Sequence, residues 1–221
     1  MPHALLEETA DALLFDMDGT ILTSLKAAER VWGAWAERQG LDVATFLPKM
    51  HGARGIDTIR NLGLPGIDPQ VEADGIAEAE MIDVADIEQI PGAAAFLSGL
   101  PVSRWTIVTS SPRRLAARRL EAAGLPAPET MITAEDIERG KPAPDGFLLA
   151  ARRLGTTAAR CLIFEDAPTG IAAAEAAGGK VVVVTAWLHG EVEERHLAIP
   201  DYRSLRTEVL PDGRIRVFKA D

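Results

Sequence analysis

Asp16 and Asp18 stand two residues apart, directly behind the apolar run Ala12-Leu13-Leu14-Phe15 and ahead of Gly19-Thr20. A short apolar stretch bounded by a turn signal predicts a buried parallel strand. The two acids then fall at its carboxyl end, where open α/β sheets hold ligands. One carboxylate there can attack an electrophile while its neighbour moves a proton, and both can face a metal ion. The plainer reading, a surface turn with an Asp cap, leaves the fused apolar strand unexplained.

Three further clusters offer complementary chemistry. Val108-Thr109-Ser110-Ser111-Pro112 sets hydroxyls and backbone N–H groups where a second strand ends and a helix begins, an arrangement that can cradle an anion. Simple N-capping is its bland alternative. Gly140-Lys141-Pro142-Ala143-Pro144-Asp145 puts a lysine in a proline-bracketed loop, which reduces the entropy lost in holding the ammonium. Phe164-Glu165-Asp166-Ala167-Pro168 again places two acids between an apolar strand and a helix. Acids also suit a helix N-terminus electrostatically. A second acidic pair at a strand end is, however, what a hard divalent cation such as Mg²⁺ requires.

The elements that position these residues follow from the apolar pattern. Ala12–Phe15, Trp105–Val108, Met131-Ile132, Leu162–Phe164 and Val181–Val184 read as strands. Helical stretches lie between the later ones: Arg113–Ala123 before Gly124, Asp145–Leu154 before Gly155, and Thr169–Ala177 before Gly178. Repeated strand–helix–strand units predict an α/β fold, a Rossmann-like parallel sheet flanked by helices. From Thr23 to Ile90 no strand is evident. Leu25, Ala28, Trp32, Trp35 and Ala36 recur at helical spacing, and helical pattern returns from Val71 to Ile87. Residues 23–90 are therefore expected to form an inserted α-helical unit, with residues 1–22 and 91–221 forming a discontinuous core. The tail, Thr207 to Phe218, alternates around Pro211-Asp212-Gly213 and reads as a β-hairpin.

Composition narrows the class of partner. The chain has 221 residues, 47% of them hydrophobic, and a net charge of −10. That charge argues against nucleic acid or anionic membrane as partner, so an anionic substrate needs a local positive field. No basic and apolar leader opens the sequence, and the longest apolar run, near Val181–Leu188, is too short to span a bilayer. A cytoplasmic location is expected. Cys161, the sole cysteine, reads as a small core residue. Arg113, Arg114, Arg118 and Arg119 read as a solvated basic helix face.

In this order and spacing the four clusters resemble the motifs of the haloacid dehalogenase superfamily of phosphotransferases, from about Leu13 to Val184, and the helical insert resembles the family's α-helical cap. The resemblance implies that Asp16 is the nucleophile and Asp18 the general acid/base. It implies that Thr109 and Lys141 hold the phosphoryl group, with Ser110 a further substrate-binding residue. Mg²⁺ would be bound by Asp16, the backbone carbonyl of Asp18 and Asp166, with Glu165 a ligand or a neighbour of one. Asp18 favours phosphoryl transfer over dehalogenation. Thr20 and Ala28, where the family's phosphosugar mutases carry Val and His, favour water as acceptor.

Within the family the chain resembles the cap-bearing sugar and polyol phosphatases. Ala122–Glu129, Ile132–Glu135, Arg139–Pro142 and Glu165–Pro168 carry that similarity. A small phosphorylated sugar or polyol is the substrate so implied. The cap loop Met50–Asp57 has no lysine inside it, unlike the family's phosphonate hydrolases, and Lys49 only precedes it. Gly52 and Arg54 of that loop are candidates for substrate contact, Arg54 because a guanidinium can bind phosphate bidentately. Its alternative is an ion pair with Asp57. His51 could contact hydroxyls. Thr23-Ser24 stands where the family often has Asp-Ser, which bears on positioning or on the hinge of the cap.

Overall fold

The computed structural model describes residues 7–50, 52–187 and 196–220. His51, the first six residues and the end of the Val181–Leu188 run lie outside the described residues. In chain order, strands β1 (Glu7–Ala10), β2 (Ala12–Phe15) and β3 (Leu22–Thr23) lead into helices α1 (Leu25–Arg38), α2 (Val43–Phe46), α3 (Gly55–Leu62) and α4 (Pro69–Ile82). Then come β4 (Glu88–Gln89), α5 (Ala93–Ser98), β5 (Trp105–Val108), α6 (Arg113–Ala122), β6 (Met131–Ile132), α7 (Asp145–Arg153) and β7 (Cys161–Glu165). The chain continues through α8 (Pro168–Ala176), β8 (Lys180–Val184), β9 (Leu197–Ile199), β10 (Leu205–Val209) and β11 (Ile215–Lys219).

Six strands form one parallel sheet in the order β6-β5-β2-β7-β8-β9. Helices cover both faces, so the strands are buried on both sides and read as continuous apolar runs. The period of two is visible in the packing. Leu13, Phe15, Leu162, Phe164, Val182 and Val184 enter one apolar cluster, with Phe96, Trp105 and Tyr202. Ala12, Leu14, Cys161, Ile163, Val181 and Val183 enter the other, with Phe147 and the alanines of α7 and α8. The Phe15 and Phe164 rings stack at 4.7 Å between centroids, locking β2 to β7 just below the site. Cys161 is a buried core thiol, as expected, and burial pushes its pKa up to about 12.

The segment between β3 and β4 carries its own core. Trp32, Trp35, Phe46, Met50, Ile59 and Ile76 pack together, drawn from α1 to α4 and the turns between them. Asp68 caps α4 by accepting from the N–H groups of Gln70 and Val71, with Pro69 in its first turn. The helix ends at Ile82, short of the expected Ile87, and Asp83 ties down Arg30 of α1 instead. A correction applies to the strand-free reading of this region. Leu22–Thr23 and Glu88–Gln89 pair antiparallel at its two ends, Leu22 opposite Gln89 and Thr23 opposite Glu88. Two residues of mixed polarity give no periodic signal, which is why the ribbon is invisible in the sequence.

The tail hairpin forms as expected, β10 against β11, and β1 adds to β11 as a third strand. Glu7–Ala10 is short and mostly polar, so nothing announced it. Among the described residues no helix is long and apolar enough to cross a membrane.

Candidate active site

The sheet order reverses around β2: β5 flanks it on one side and β7 on the other. This is the switch point at which the loops diverge and leave a crevice. Asp16 follows β2, Thr109 follows β5, and Glu165 ends β7 with Asp166 beyond it. A cavity of about 740 Å³ opens there, roofed by the helical insert and lined by Asp16, Asp18, Thr109, Glu165, Asp166 and Trp32 among others. Lys141 is buried beside Asp16.

Asp16 is buried, and Lys141 Nζ donates to its Oδ1 at 2.5 Å and to Glu165 Oε1 at 2.6 Å. The second oxygen of Glu165 accepts from the N–H groups of Asp166 and Ala167, at 2.8 and 3.0 Å. Glu165 thus orients Lys141 and pins the turn that carries Asp166. Thr20 Oγ1 donates to Asp166 Oδ1 at 3.1 Å. Gly19 has φ +90°, and a Cβ there would meet Asp166 Oδ2 at 2.0 Å. Only glycine lets the β2 turn pass this close to the acid.

The electrostatics are strained in one direction. Desolvation pushes Asp16 up to about 7; Lys141 opposes that shift, while Glu165 and Asp18 add to it. Desolvation likewise raises Asp166 well above the usual carboxylate range, reinforced by Glu165 and Asp16. Lys141 is raised despite its burial, because Asp16 and Glu165 both favour its charged form. One ammonium therefore serves two buried acids, Asp16 and Glu165, with the half-buried Asp166 beside them. Asp16, Glu165 and Asp166 each present an oxygen within 4.8 Å of the others. An all-oxygen, net-negative set of this kind fits a hard divalent cation, which would offset the burial, and the lesser mutual repulsion, that raise two of its members.

Asp18 faces the same cavity from a different set of partners. Ser24 Oγ donates to its Oδ1 at 2.6 Å, Arg119 Nη1 to the same oxygen at 2.8 Å, and Ser111 Oγ to Oδ2 at 3.2 Å. Arg119 corrects the expectation of a solvated basic face. Arg113, Arg114 and Arg118 do pair with acids at the surface, but Arg119 is buried. Leu115, Ala116 and Leu120 mark the inner stripe of α6, and position 119 falls on it, four residues after Leu115. That periodicity was the available signal. Glu80, also missed, lies on α4 four residues after the buried Ile76 and accepts from Arg119 Nη2 at 2.8 Å.

Arg54 and Ser110 are occupied otherwise than by an open site. Arg54 Nε donates to Asp57 Oδ2 at 2.6 Å, the ion pair held open as its alternative. Its Nη1 and Nη2 donate to the carbonyl oxygens of Ile137 and Glu138, at 2.8 and 2.6 Å. Ser110 Oγ donates to the Gly52 carbonyl at 2.9 Å. Both side chains join the helical insert to loops of the sheet unit. Thr109 is buried, and its Oγ1 accepts from the Ser111 N–H at 3.0 Å, which shapes the turn after β5.

A sequence profile for haloacid dehalogenase-like hydrolases matches residues 10–178, from the start of the sheet to the end of α8. The chain belongs to that family. This haloacid dehalogenase-like hydrolase is 42% identical over 180 residues to hexitol phosphatase A of Escherichia coli (strain K12), covering 78% of this chain and 82% of the relative. It is 31% identical over 193 residues to glycerol-1-phosphate phosphohydrolase 2 of Saccharomyces cerevisiae, covering 78% and 73%. Its fold matches the crystal structure of a hydrolase from Pseudomonas syringae with a TM-score of 0.74 and 26% identity, covering 86% of this chain and 92% of the other.

Proposed function

We propose that this hydrolase is a Mg²⁺-dependent phosphatase of small sugar or polyol phosphate monoesters, acting through an aspartyl-phosphate on Asp16. The observation that carries the reading is that Asp16 and Asp18 open on one cavity at the switch point while a buried lysine grips Asp16 alone of the two. The named phosphatases among its relatives support the substrate class.

An Asp16 oxygen attacks phosphorus, and the ester oxygen leaves with a proton from Asp18. Asp18 then takes a proton from water, whose oxygen attacks the phosphorus of the acyl phosphate and frees Asp16. Splitting the reaction in this way replaces one high barrier by two lower ones. Lys141 offsets the charge of the nucleophile, and Thr109 with the N–H groups of the turn after β5 receives the phosphoryl oxygens. Asp16, Asp166 and the backbone carbonyl of Asp18 would hold Mg²⁺, with Glu165 serving Lys141 and the turn. Bound there, the cation supplies Lewis-acid neutralisation of phosphoryl charge.

Residues 23–90 would act as the cap, and residues 1–22 with 91–221 as the core. Closure of such a cap excludes bulk water from the reacting groups. A cytoplasmic location suits the single unpaired thiol. The test is phosphate release from hexitol, hexose, deoxyhexose, glycerol and nucleotide monophosphates with Mg²⁺, ranked by kcat/KM. Polyol and sugar esters should lead, and Asp16→Asn should abolish turnover while keeping the fold. Undiminished release by that variant sinks the mechanism, and transfer of phosphate between sugar hydroxyls without release sinks the phosphatase reading.

A further inference from the structure

Of the three donors on Asp18, Arg119 alone is a cation, and it alone reaches further. One nitrogen holds Asp18 Oδ1 and the other holds Glu80 Oε1, both at 2.8 Å. Glu80 belongs to α4 of the helical insert and Arg119 to α6 of the sheet unit. One guanidinium therefore joins the acid beside the nucleophile to an acid of the helical insert that lines the same cavity. The Arg119 and Glu80 side chains are 5% and 8% exposed. The Arg119 Nη1 also donates to Ser111 Oγ at 3.0 Å, so the second hydroxyl on Asp18 is set by the same group. Serine hydroxyls rotate to suit, whereas a planar guanidinium fixed at both ends has one orientation.

Nothing in Asp16, Lys141 or Asp166 requires this arrangement. A buried arginine shared by two acids is also a costly way to gain stability, since desolvation opposes the Coulombic attraction. Its geometry suits a positional role instead.

We propose that Arg119 is the positioning residue for Asp18, and that Glu80 makes this positioning depend on the seating of α4. With α4 seated, Arg119 is anchored at both ends and holds the Asp18 carboxyl against the cavity, where a leaving oxygen takes its proton as the phosphorus–oxygen bond breaks. With α4 displaced, the guanidinium loses its second anchor and Asp18 its orientation. Proton transfer is thereby tied to a filled, covered cavity. The inference rests on the phosphatase reading above.

The test contrasts leaving groups. A hexitol monophosphate expels a basic alkoxide that needs the acid, whereas p-nitrophenyl phosphate expels a phenolate that leaves without it. Arg119→Ala would strip a buried cation from two acids and lower stability for that reason alone, so the milder Arg119→Lys and Glu80→Gln carry the experiment. Each should lower kcat/KM for the hexitol ester by about tenfold or more and that for p-nitrophenyl phosphate by less than about threefold. The double variant should be little worse than the poorer single one, because the two residues act as a unit. Equal losses on both substrates, or losses that multiply in the double variant, overturn the proposal. Wild-type protein that hydrolyses neither ester overturns the phosphatase reading itself, and that result is obtained before any variant is made.

Discussion

Arg54 Nη2 lies 2.6 Å from the carbonyl oxygen of Glu138, so a cationic side chain at the start of α3 is hydrogen-bonded to the loop that leads to Lys141. Its neighbour Nη1 does the same to Ile137, and Asp57 holds Nε. All three contacts draw on a fork geometry that lysine lacks. Arg54→Lys should therefore raise KM more than it lowers kcat, by about tenfold, if the contact seats the insert over the cavity. Gly140→Ala offers an independent check, because a Cβ at Gly140 would meet Arg54 Nε at 2.8 Å. It should reproduce the Arg54→Lys kinetics without altering any charge. Unchanged KM in both variants removes the latch.

Lys141→Met should be the most damaging single change after a change at Asp16, the proposed nucleophile. It leaves Asp16 and Glu165 buried without their shared cation, and breaking one side of a buried pair costs about 3–5 kcal/mol. Removing a preorganised charge from the transition state costs a further hundredfold or so in kcat. Urea unfolding and steady-state kinetics measure the two separately. The second should persist when Mg²⁺ is raised to restore stability.

Metal and proton should compete. Asp16 is raised from its ordinary value near 3.8 to about 7, and Asp166 is raised as well, both chiefly by desolvation. A carboxyl raised in the folded state binds protons there more tightly than in the unfolded chain. Through Asp16, metal-free stability should therefore fall as pH rises from about 4 through about 7, and Asp166 adds a loss in the same direction. A divalent cation must displace those protons, so its stabilising effect should grow over the same interval. Melting with EDTA and with saturating Mg²⁺ should show a larger gap in Tm at pH 8 than at pH 5.5. A gap independent of pH would place the cation elsewhere.

Asp136 makes the opposite pH prediction. Burial acts to raise it, but the Thr133 N–H, Arg153, the Thr133 hydroxyl and Arg113 together hold it below its ordinary value. Its stabilisation is present above the unfolded pKa and is lost as pH falls through the folded one. Asp136→Asn should cost about 1 kcal/mol at neutral pH through the lost cap at Thr133 and the lost charge-assisted bonds. The deficit should shrink as pH falls below the ordinary carboxylate range and Asp136 is protonated in the folded protein. A chemical denaturation series across pH reads it directly.

Strands β6, β5, β2, β7 and β8 of the sheet were legible from their apolar runs, whereas β9, three residues at the sheet's edge, was not. Ala12 and Leu14 serve one cluster and Leu13 and Phe15 the other, so every position had to be apolar. The acids that end β2 and β7 were legible for the complementary reason: charge directly after such a run has no packing role to play. Arg119 was not legible as part of the site, because its partners come from a turn 101 residues away and a helix 39 residues away. Arg54 was legible as a candidate for substrate contact or for an ion pair with Asp57; the ion pair forms, but the partner carbonyls of Arg54 stand 83 and 84 residues along the chain. A guanidinium looks the same in sequence whether it will meet a phosphate or a backbone. The β3–β4 pair was too short to have a period at all.

That pair has a consequence for how selectivity can change. Leu22 faces Gln89 and Thr23 faces Glu88, so the chain leaves the sheet unit and returns to it at adjacent points. Everything between is a detour with its own apolar centre. Such a detour can be exchanged for one of another length or sequence without rerouting a single strand of the parallel sheet. On the phosphatase reading, a chimaera grafted between Thr23 and Glu88 would therefore retain the Asp16 chemistry and inherit the donor's choice of ester, provided that the donor brings a hydroxyl in place of Ser24 and an acid to meet Arg119.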